Sequence, residues 1–250
     1  MDLGIAGRTA LVMGASRGIG RGIAASLTRE GARVAIASRT PEALVKTAAE
    51  IEGEVKAFGA ETGNLEHLAG LPAQVEKELG PIDILVTNTG GPPPGGPLDN
   101  DLAEWEAAYT SLVLAPRVLV EKVAPGMRSR RWGRIVNVGS SSTRQPIPEL
   151  NLSNAHRAAA VGFFKTLASE LAVDGITVNT VATGMFATER LADVRGSLDA
   201  AHEVARQTVP AGRLGDPAEY GDLVAFLCSQ RAAYLTGAVI PLDGGMVRAI

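Results

Sequence analysis

The stretch Thr9-Ala10-Leu11-Val12-Met13-Gly14-Ala15-Ser16-Arg17-Gly18-Ile19-Gly20 decides the fold. A short apolar run passes directly into a GxxxGxG spacing, and an amphipathic segment follows over about 18–30. A run that is apolar nearly throughout reads as a strand covered on both faces. Gly14 permits a tight turn, Gly18 lets the backbone approach a pyrophosphate, and Gly20 allows helix and strand to pack closely. The opening helix then offers unpaired N–H groups to an anion. Strand, turn and helix in this order make Gly14, Ser16, Arg17, Gly18, Ile19 and Gly20 a candidate phosphate loop.

Outward from this unit the same alternation repeats. Arg33–Ala37, Asp83–Thr87, Arg134–Val138, Thr177–Val181 and Ala238–Pro241 read as strands, with a weaker one near Glu54–Phe58. Helical segments are expected at about 41–52, 64–79, 101–129, 150–173 and 216–229. From Ser153 to Leu171, Ala155, Ala159, Phe163, Leu167 and Leu171 recur at steps of four, a helical stripe. Repeated strand–helix–strand order implies a parallel sheet with right-handed crossovers. No repeat or linker divides the chain, so residues 1–250 read as one α/β domain. Two segments break the rhythm. Residues 90–97, GGPPPGGP, form a stiff wall after a strand. Met185 to Gly212 is a long polar connection, expected to be a lid or binding loop.

Composition narrows the function classes. The chain has 250 residues, 24 Lys plus Arg against 27 Asp plus Glu, and a formal charge of −3. A chain this long buries roughly 70–75% of its unfolded surface and needs no disulfide or metal. The single cysteine, Cys228, excludes a disulfide framework and a cysteine zinc site, and no metal is expected. It fits a reducing compartment, so a cytoplasmic protein is expected. No signal peptide and no membrane span are read. Balanced charge argues against nucleic acid, and the four arginines within 128–134 read as a solvated turn.

The end of the second strand bears on the cofactor. An acid there binds the ribose 2′-OH of NAD, whereas an arginine accommodates the 2′-phosphate of NADP. This chain carries Ser38-Arg39 and no acid at 37–39, with Arg17 as a second cation. NADP(H) is therefore expected over NAD(H).

Further stretches carry a family resemblance. They are Gly14-xxx-Gly18-Ile19-Gly20, Asp83 to Gly90 (DILVTNTG), Gly133 to Ser140 (GRIVNVGS), Gly175 to Asn179 (GITVN) and Leu242-Asp243-Gly244-Gly245. Over essentially its whole length the chain resembles the short-chain dehydrogenase/reductase family, in particular its 3-oxoacyl-carrier-protein reductase-like members. The resemblance implies one Rossmann-like domain with a seven-stranded parallel sheet, and commonly a homotetramer. It implies a small-molecule or acyl-thioester carbonyl substrate. It places Asn88 and Gly90 on the adenine-ribose side of the cofactor and Thr188 at the nicotinamide carboxamide. Thr87, Thr89 and Thr183 stand where the family has Asn, Ala and Pro; losing that proline is expected to loosen its turn.

The resemblance also implies an Asn, Ser, Tyr, Lys catalytic set, in which Tyr donates the proton and Lys lowers its pKa. Only Ser140 keeps the family residue. Ser111 stands for Asn, Ser153 for Tyr and Arg157 for Lys. The Ser153 hydroxyl falls several ångströms short of a phenol's reach and is a poorer proton donor. Arg157 lies one helical turn away on the same face. It binds hydroxyls and stabilises an alkoxide, but stays protonated and shuttles no proton. His156 and Tyr109 are alternative acids, each with a packing role as the other reading. Ser140 to Arg144 form a hydroxyl-rich stretch, either a polar loop or a shell for an anionic group anchored by Arg144 or Arg157. Three functions stay open on these residues: a carbonyl reductase or alcohol dehydrogenase with a variant site, a non-catalytic cofactor-binding sensor or assembly protein, or a different reaction on the same fold. His67 and His202 read as surface residues, and Cys228 as buried.

Overall fold

Seven strands form one parallel sheet: β1 (Thr9–Met13), β2 (Arg33–Ser38), β3 (Val55–Gly59), β4 (Ile82–Thr87), β5 (Gly133–Val138), β6 (Ile176–Thr183) and β7 (Val239–Leu242). Their order is β3-β2-β1-β4-β5-β6-β7. The computed structural model describes residues 1–249. Helices α1 (Gly18–Arg29), α2 (Pro41–Glu50), α3 (Leu65–Leu79), α4 (Leu102–Tyr109), α5 (Ala115–Arg130), α6 (Asn151–Leu171), α7 (Glu189–Arg195), α8 (Leu198–Thr208) and α9 (Pro217–Leu227) complete the fold. The seven strands fall where the sequence places them, within one or two residues.

Alternation along β1 explains why the strands are apolar throughout. Ala10 and Val12 enter a core with Ile23 and Leu27 of α1, Leu44 of α2 and Val224 of α9. Leu11 and Met13 enter the opposite core with Leu68 of α3, Leu119 of α5 and Phe164 of α6. Each face of the sheet thus has its own helical layer, as continuous apolar strands require. A third cluster, Met185, Ala201, Ala205, Val209 and Leu214, seats α8.

Four expectations are corrected. Residues 185–212 are not an open connection, because α7 and α8 form there, each begun by a capping hydroxyl. Thr188 Oγ1 accepts from Leu191 N at 3.2 Å, and Ser197 Oγ from Ala200 N at 3.0 Å. The helix expected over 101–129 is interrupted by a π-helical turn, Thr110–Leu114, which separates α4 from α5. Such turns often sit at functional positions. The arginines of 128–134 are not simply solvated. Arg128 pairs with Glu170 and Asp174, and Arg130 with Asp83. Arg134 is buried, donating to the carbonyls of Gly133, Gly175 and Ser229 while stacking 4.5 Å from the Trp132 ring centre. Fourth, the Thr183 turn is not loose. Thr183 Oγ1 lies 2.9 Å from the hydroxyl of Tyr220, whose side chain is fully buried on α9.

The strand order reverses between β1 and β4, and ligands of open α/β sheets bind at the carboxyl ends beside such a reversal. Helix α9 packs on α1 and reaches the end of β6 through the Tyr220–Thr183 bond. Its start is fixed by an Asp216–Glu219 capping box, and Arg213 forks onto Glu219 at 2.7 and 2.8 Å. These bonds hold the Glu219 carboxyl down at about 2. Where α9 crosses α1, a Cβ on Gly221 would meet Gly22 O at 2.3 Å, and one on Gly22 would meet Pro217 O at 2.2 Å. Among the described residues no helix is long and apolar enough to cross a membrane. Gly221→Ala is predicted to destabilise the fold by about 2 kcal/mol or more by overpacking, read as a lowered Tm and urea midpoint; an unchanged midpoint would contradict this close crossing.

Candidate active site

The glycine loop closes tightly for two reasons. Gly14 and Gly18 have φ of 58° and 55°, values that favour glycine. A Cβ on Gly14 would also meet Asn88 O at 2.5 Å. Gly20 lies under the loop, where a Cβ would approach Gly14 O to 2.1 Å. Asn88, just past β4, donates from Nδ2 to Gly14 O at 3.1 Å and so binds the loop to the strand across the reversal. Ser16 is held by Thr47 of α2, whose hydroxyl donates to its carbonyl at 2.7 Å. Ile19 packs on the first core.

Helix α1 begins at this loop with Arg17 as its N-cap, extended and without a side-chain capping bond. Its first N–H groups therefore have no side-chain cap from Arg17, an arrangement that suits an anion. Arg17 is exposed and pairs with Glu189, the first residue of α7. An exposed pair of this kind contributes about 0–1 kcal/mol, so a phosphate can compete for Arg17. At the end of β2, Ser38 Oγ accepts from Thr40 N at 3.4 Å. Arg39 is exposed and makes no ion pair among the described residues.

Arg157 is the hub of the other half. From α6 its Nε donates to Ser153 Oγ at 3.1 Å, its Nη1 to Val138 O at 2.8 Å and its Nη2 to Gly90 O at 3.3 Å. One guanidinium thus joins α6 to the ends of β4 and β5. Burial lowers its pKa to about 10, opposed by Tyr220 and reinforced by Arg190. Arg157 still remains a cation at neutral pH. Ser140 lies two residues beyond Val138. Its Oγ accepts from Ser142 N at 3.1 Å, which leaves its hydroxyl proton able to donate.

The remaining expected residues divide. Thr188 caps α7 against the glycine loop, with its methyl 3.2 Å from where a Gly18 Cβ would stand. Gly90 supplies the carbonyl that Arg157 grips. Ser111 lies in the π turn, its hydroxyl 2.9 Å from that of Thr62 and outside the Arg157 network. Arg144 does not anchor the hydroxyl-rich stretch, because it turns to Val239 O at 3.0 Å. His156 is buried. Its Nδ1 lies 2.8 Å from Leu152 O, and its ring meets Trp105 edge-on at 5.1 Å and Tyr109 at 6.1 Å. That is the packing role for both His156 and Tyr109. Of the other tyrosines, Tyr234 is fully exposed. Tyr220 is buried on α9, and burial raises its pKa well above the ordinary range.

Three features escape sequence reading: the Thr183–Tyr220 contact, the Thr62–Ser111 contact and the placement of Arg190. Arg190 donates to Pro92 O at 2.8 Å from α7. Nothing in residue type marks it out among the charges of 185–212.

The glycine loop at a sheet reversal, with hydroxyls and an arginine on the neighbouring strand ends, defines a dinucleotide-binding α/β protein with a polar reaction site. Comparisons with known proteins agree. A family described as Enoyl-(Acyl carrier protein) reductase matches residues 14–247. The chain is similar to the 3-oxoacyl-(acyl-carrier-protein) reductase FabG of Vibrio cholerae, 36% identical over 246 residues, covering 98% of this chain and 99% of the relative. Nodulation protein G of Azospirillum brasilense is 33% identical over 247 residues, covering 96% and 98%. The structure of L-sorbose reductase from Gluconobacter frateurii, complexed with NADPH and L-sorbose, superposes with a TM-score of 0.95 at 29% identity, covering all of both chains. The chain belongs to the short-chain dehydrogenase/reductase family, and is by that membership a short-chain oxidoreductase.

His156→Gln is predicted to lower thermal stability while changing kcat by no more than about threefold. A loss of about 100-fold or more, the size of a general acid's contribution, would instead put the imidazole in proton transfer.

Proposed function

We propose that this chain is an NADP(H)-dependent oxidoreductase of carbonyl and alcohol substrates, in which an arginine and hydroxyls work where the family uses a phenol and an amine. The observation that carries this reading is the Arg157 hub on the strand ends that Asn88 ties to the glycine loop.

The residues fit the cofactor. The loop has no Cβ at Gly14, Gly18 or Gly20, and the α1 N-terminus has no side-chain cap. Gly14, Ser16, Arg17, Gly18, Ile19 and Gly20 hold the pyrophosphate. Ser38 and Arg39, with no acid beside them, take the 2′-phosphate. Asn88 and Gly90 line the adenine-ribose side, Thr188 meets the carboxamide and Arg157 the nicotinamide ribose. The bound cofactor supplies or accepts a hydride.

The chain's own groups handle the oxygen. Ser140 donates a hydrogen bond from its free hydroxyl proton to a substrate carbonyl, and keeps that proton. Arg157, bound to the carbonyl of Val138 two residues before Ser140 in the chain, stabilises the negative charge that develops on that oxygen. Arg157 keeps its own proton, and Ser153 is bound to it, so water supplies the final proton. Ser111, whose hydroxyl is bonded to that of Thr62, stands in the π turn where the family has its Asn. α7 and α8, within 185–212, form the lid. The small, exposed face of α6 at Ala155, Ala158, Ala159 and Gly162, together with α4 and α5, makes one interface of a homotetramer. The single buried thiol suits a cytoplasmic setting.

Titration of NADPH fluorescence tests the cofactor. NADPH is expected to bind more tightly than NADH, and Arg39→Asp to weaken NADPH by about tenfold while sparing NADH, the effect of losing one charge-assisted bond. Equal binding of both nucleotides by the unaltered protein would overturn the NADP(H) assignment.

A further inference from the structure

Arg190 has no part in the reading above, and its surroundings are unusual for a surface arginine. Its Nη2 donates to Pro92 O at 2.8 Å. A Cβ on Gly91 would lie 3.1 Å from that Nη2 and 3.3 Å from Nε, so the guanidinium rests directly on the Gly91 backbone. Arg157 reaches the same short stretch, through Gly90 O at 3.3 Å. Two guanidiniums from different helices therefore flank residues 90–92, where the chain has no side chain larger than proline.

Neither cation has a carboxylate partner among the described residues. Glu189, beside Arg190 in sequence, is occupied by Arg17. The charge of Arg190 also disfavours the charged form of Arg157, so the two repel. An anion between them removes that cost. Arg190 retains donors for it, whereas the two N–H groups left on Arg157 serve the ribose and the reacting oxygen, so Arg157 contributes its charge. A guanidinium has five N–H groups; Arg157 commits three and Arg190 one. Space exists as well, because a Cβ on Gly90 would meet nothing within 4 Å.

The cofactor's phosphates already have the glycine loop, the α1 N-terminus and Arg39. Arg157 instead holds Ser153 Oγ and the carbonyl of Val138, two residues before Ser140, and Arg190 shares with it the 90–92 stretch. We propose that Arg190, beside the cation of Arg157, binds a carboxylate of the substrate, so that the substrate is a free oxo or hydroxy acid and not an ester or thioester. A planar carboxylate matches the guanidinium fork, which a neutral acyl group does not. This inference rests on the oxidoreductase reading and narrows its substrate class.

The test uses the NADPH-bound protein at fixed ionic strength. Reduction of acetoacetate is compared with that of its neutral ethyl ester, and binding of butanoate with that of butanamide is read from NADPH fluorescence. The acids are expected to be preferred by about tenfold or more, the size of one charge-assisted contact. Arg190→Gln is expected to remove that preference by raising the KM for acetoacetate and the Kd for butanoate, with the ester and the NADPH Kd unchanged. Arg190→Lys should recover part of it. Equal handling of acid and neutral partner overturns the inference, as does an Arg190→Gln variant that keeps the preference or loses NADPH instead. An NADPH-bound protein that takes up neither acid overturns it too. Reduction of neutral ketones without acid preference leaves the oxidoreductase reading standing, whereas failure to bind NADPH removes that reading and this one together.

Discussion

One guanidinium joins three parts of the cleft that would otherwise be independent. Arg157 spans Ser153 on its own helix, the carbonyl of Val138 at the end of β5 and the carbonyl of Gly90 beyond β4. A lysine offers a compact point charge at this place; the planar fork of arginine reaches three acceptors in different directions. Ser153 suits that arrangement because its Oγ lies close to the helix, within reach of Nε one turn along. The two departures from the family's catalytic set are therefore physically linked. The small hydroxyl accepts a bond from the large cation, and both side chains gain a partner. Removing the guanidinium would strip a donor from two main-chain carbonyls at the strand ends, a cost of about 1–3 kcal/mol for each one left unsatisfied.

The start of helix α7 is coupled to the same region through three successive residues. Thr188 packs its methyl against Gly18, Glu189 pairs with Arg17, and Arg190 grips Pro92 O. One short segment before and within α7 thus touches the phosphate loop and the Gly-Pro wall together. The wall itself is fastened at its far end, where Gly95 N donates to Glu149 O at 2.7 Å and Asn151 N donates to Gly95 O at 3.2 Å. Helix α6, which carries Arg157, starts at that junction. Movement of α7 therefore bears on the phosphate loop, the wall and, through Gly90, the Arg157 hub. The exposed Arg17–Glu189 pair is the link that a phosphate can exchange.

The strands were legible because burial on both faces leaves an unmistakable run of apolar residues, as in Thr9–Met13 and Asp83–Thr87. The glycine loop was legible because its spacing is imposed by close backbone approach, which no other residue permits. Ser153 and Arg157 were found by register with the family, and their i,i+4 spacing already placed them on one face. What sequence could not give was the direction of long polar side chains. Arg144 and Arg190 look equivalent as exposed arginines after strands, yet one turns to the edge of β7 and the other to the cleft. Helix α8 is hard to read because its stripe is made of small residues, Ala201 and Ala205, whose burial depends on Met185 and Leu214 arriving from elsewhere, and α7 because it buries no residue at all. Thr183 read as a loosened turn because its partner, Tyr220, lies 37 residues away.

The central claim is that negative charge on the reacting oxygen is stabilised by a permanent cation and hydroxyls, with no protein side chain giving up a proton during hydride transfer. Paired isotope effects on kcat/KM, measured with the ketone the enzyme reduces fastest, test it most directly. NADPH carrying deuterium at the transferred position should give a clear normal effect, while exchange of solvent to D₂O should give an effect close to unity. A large solvent effect expressed in the same step as the hydride effect would mean that a proton donor acts in the transition state, and would contradict the account.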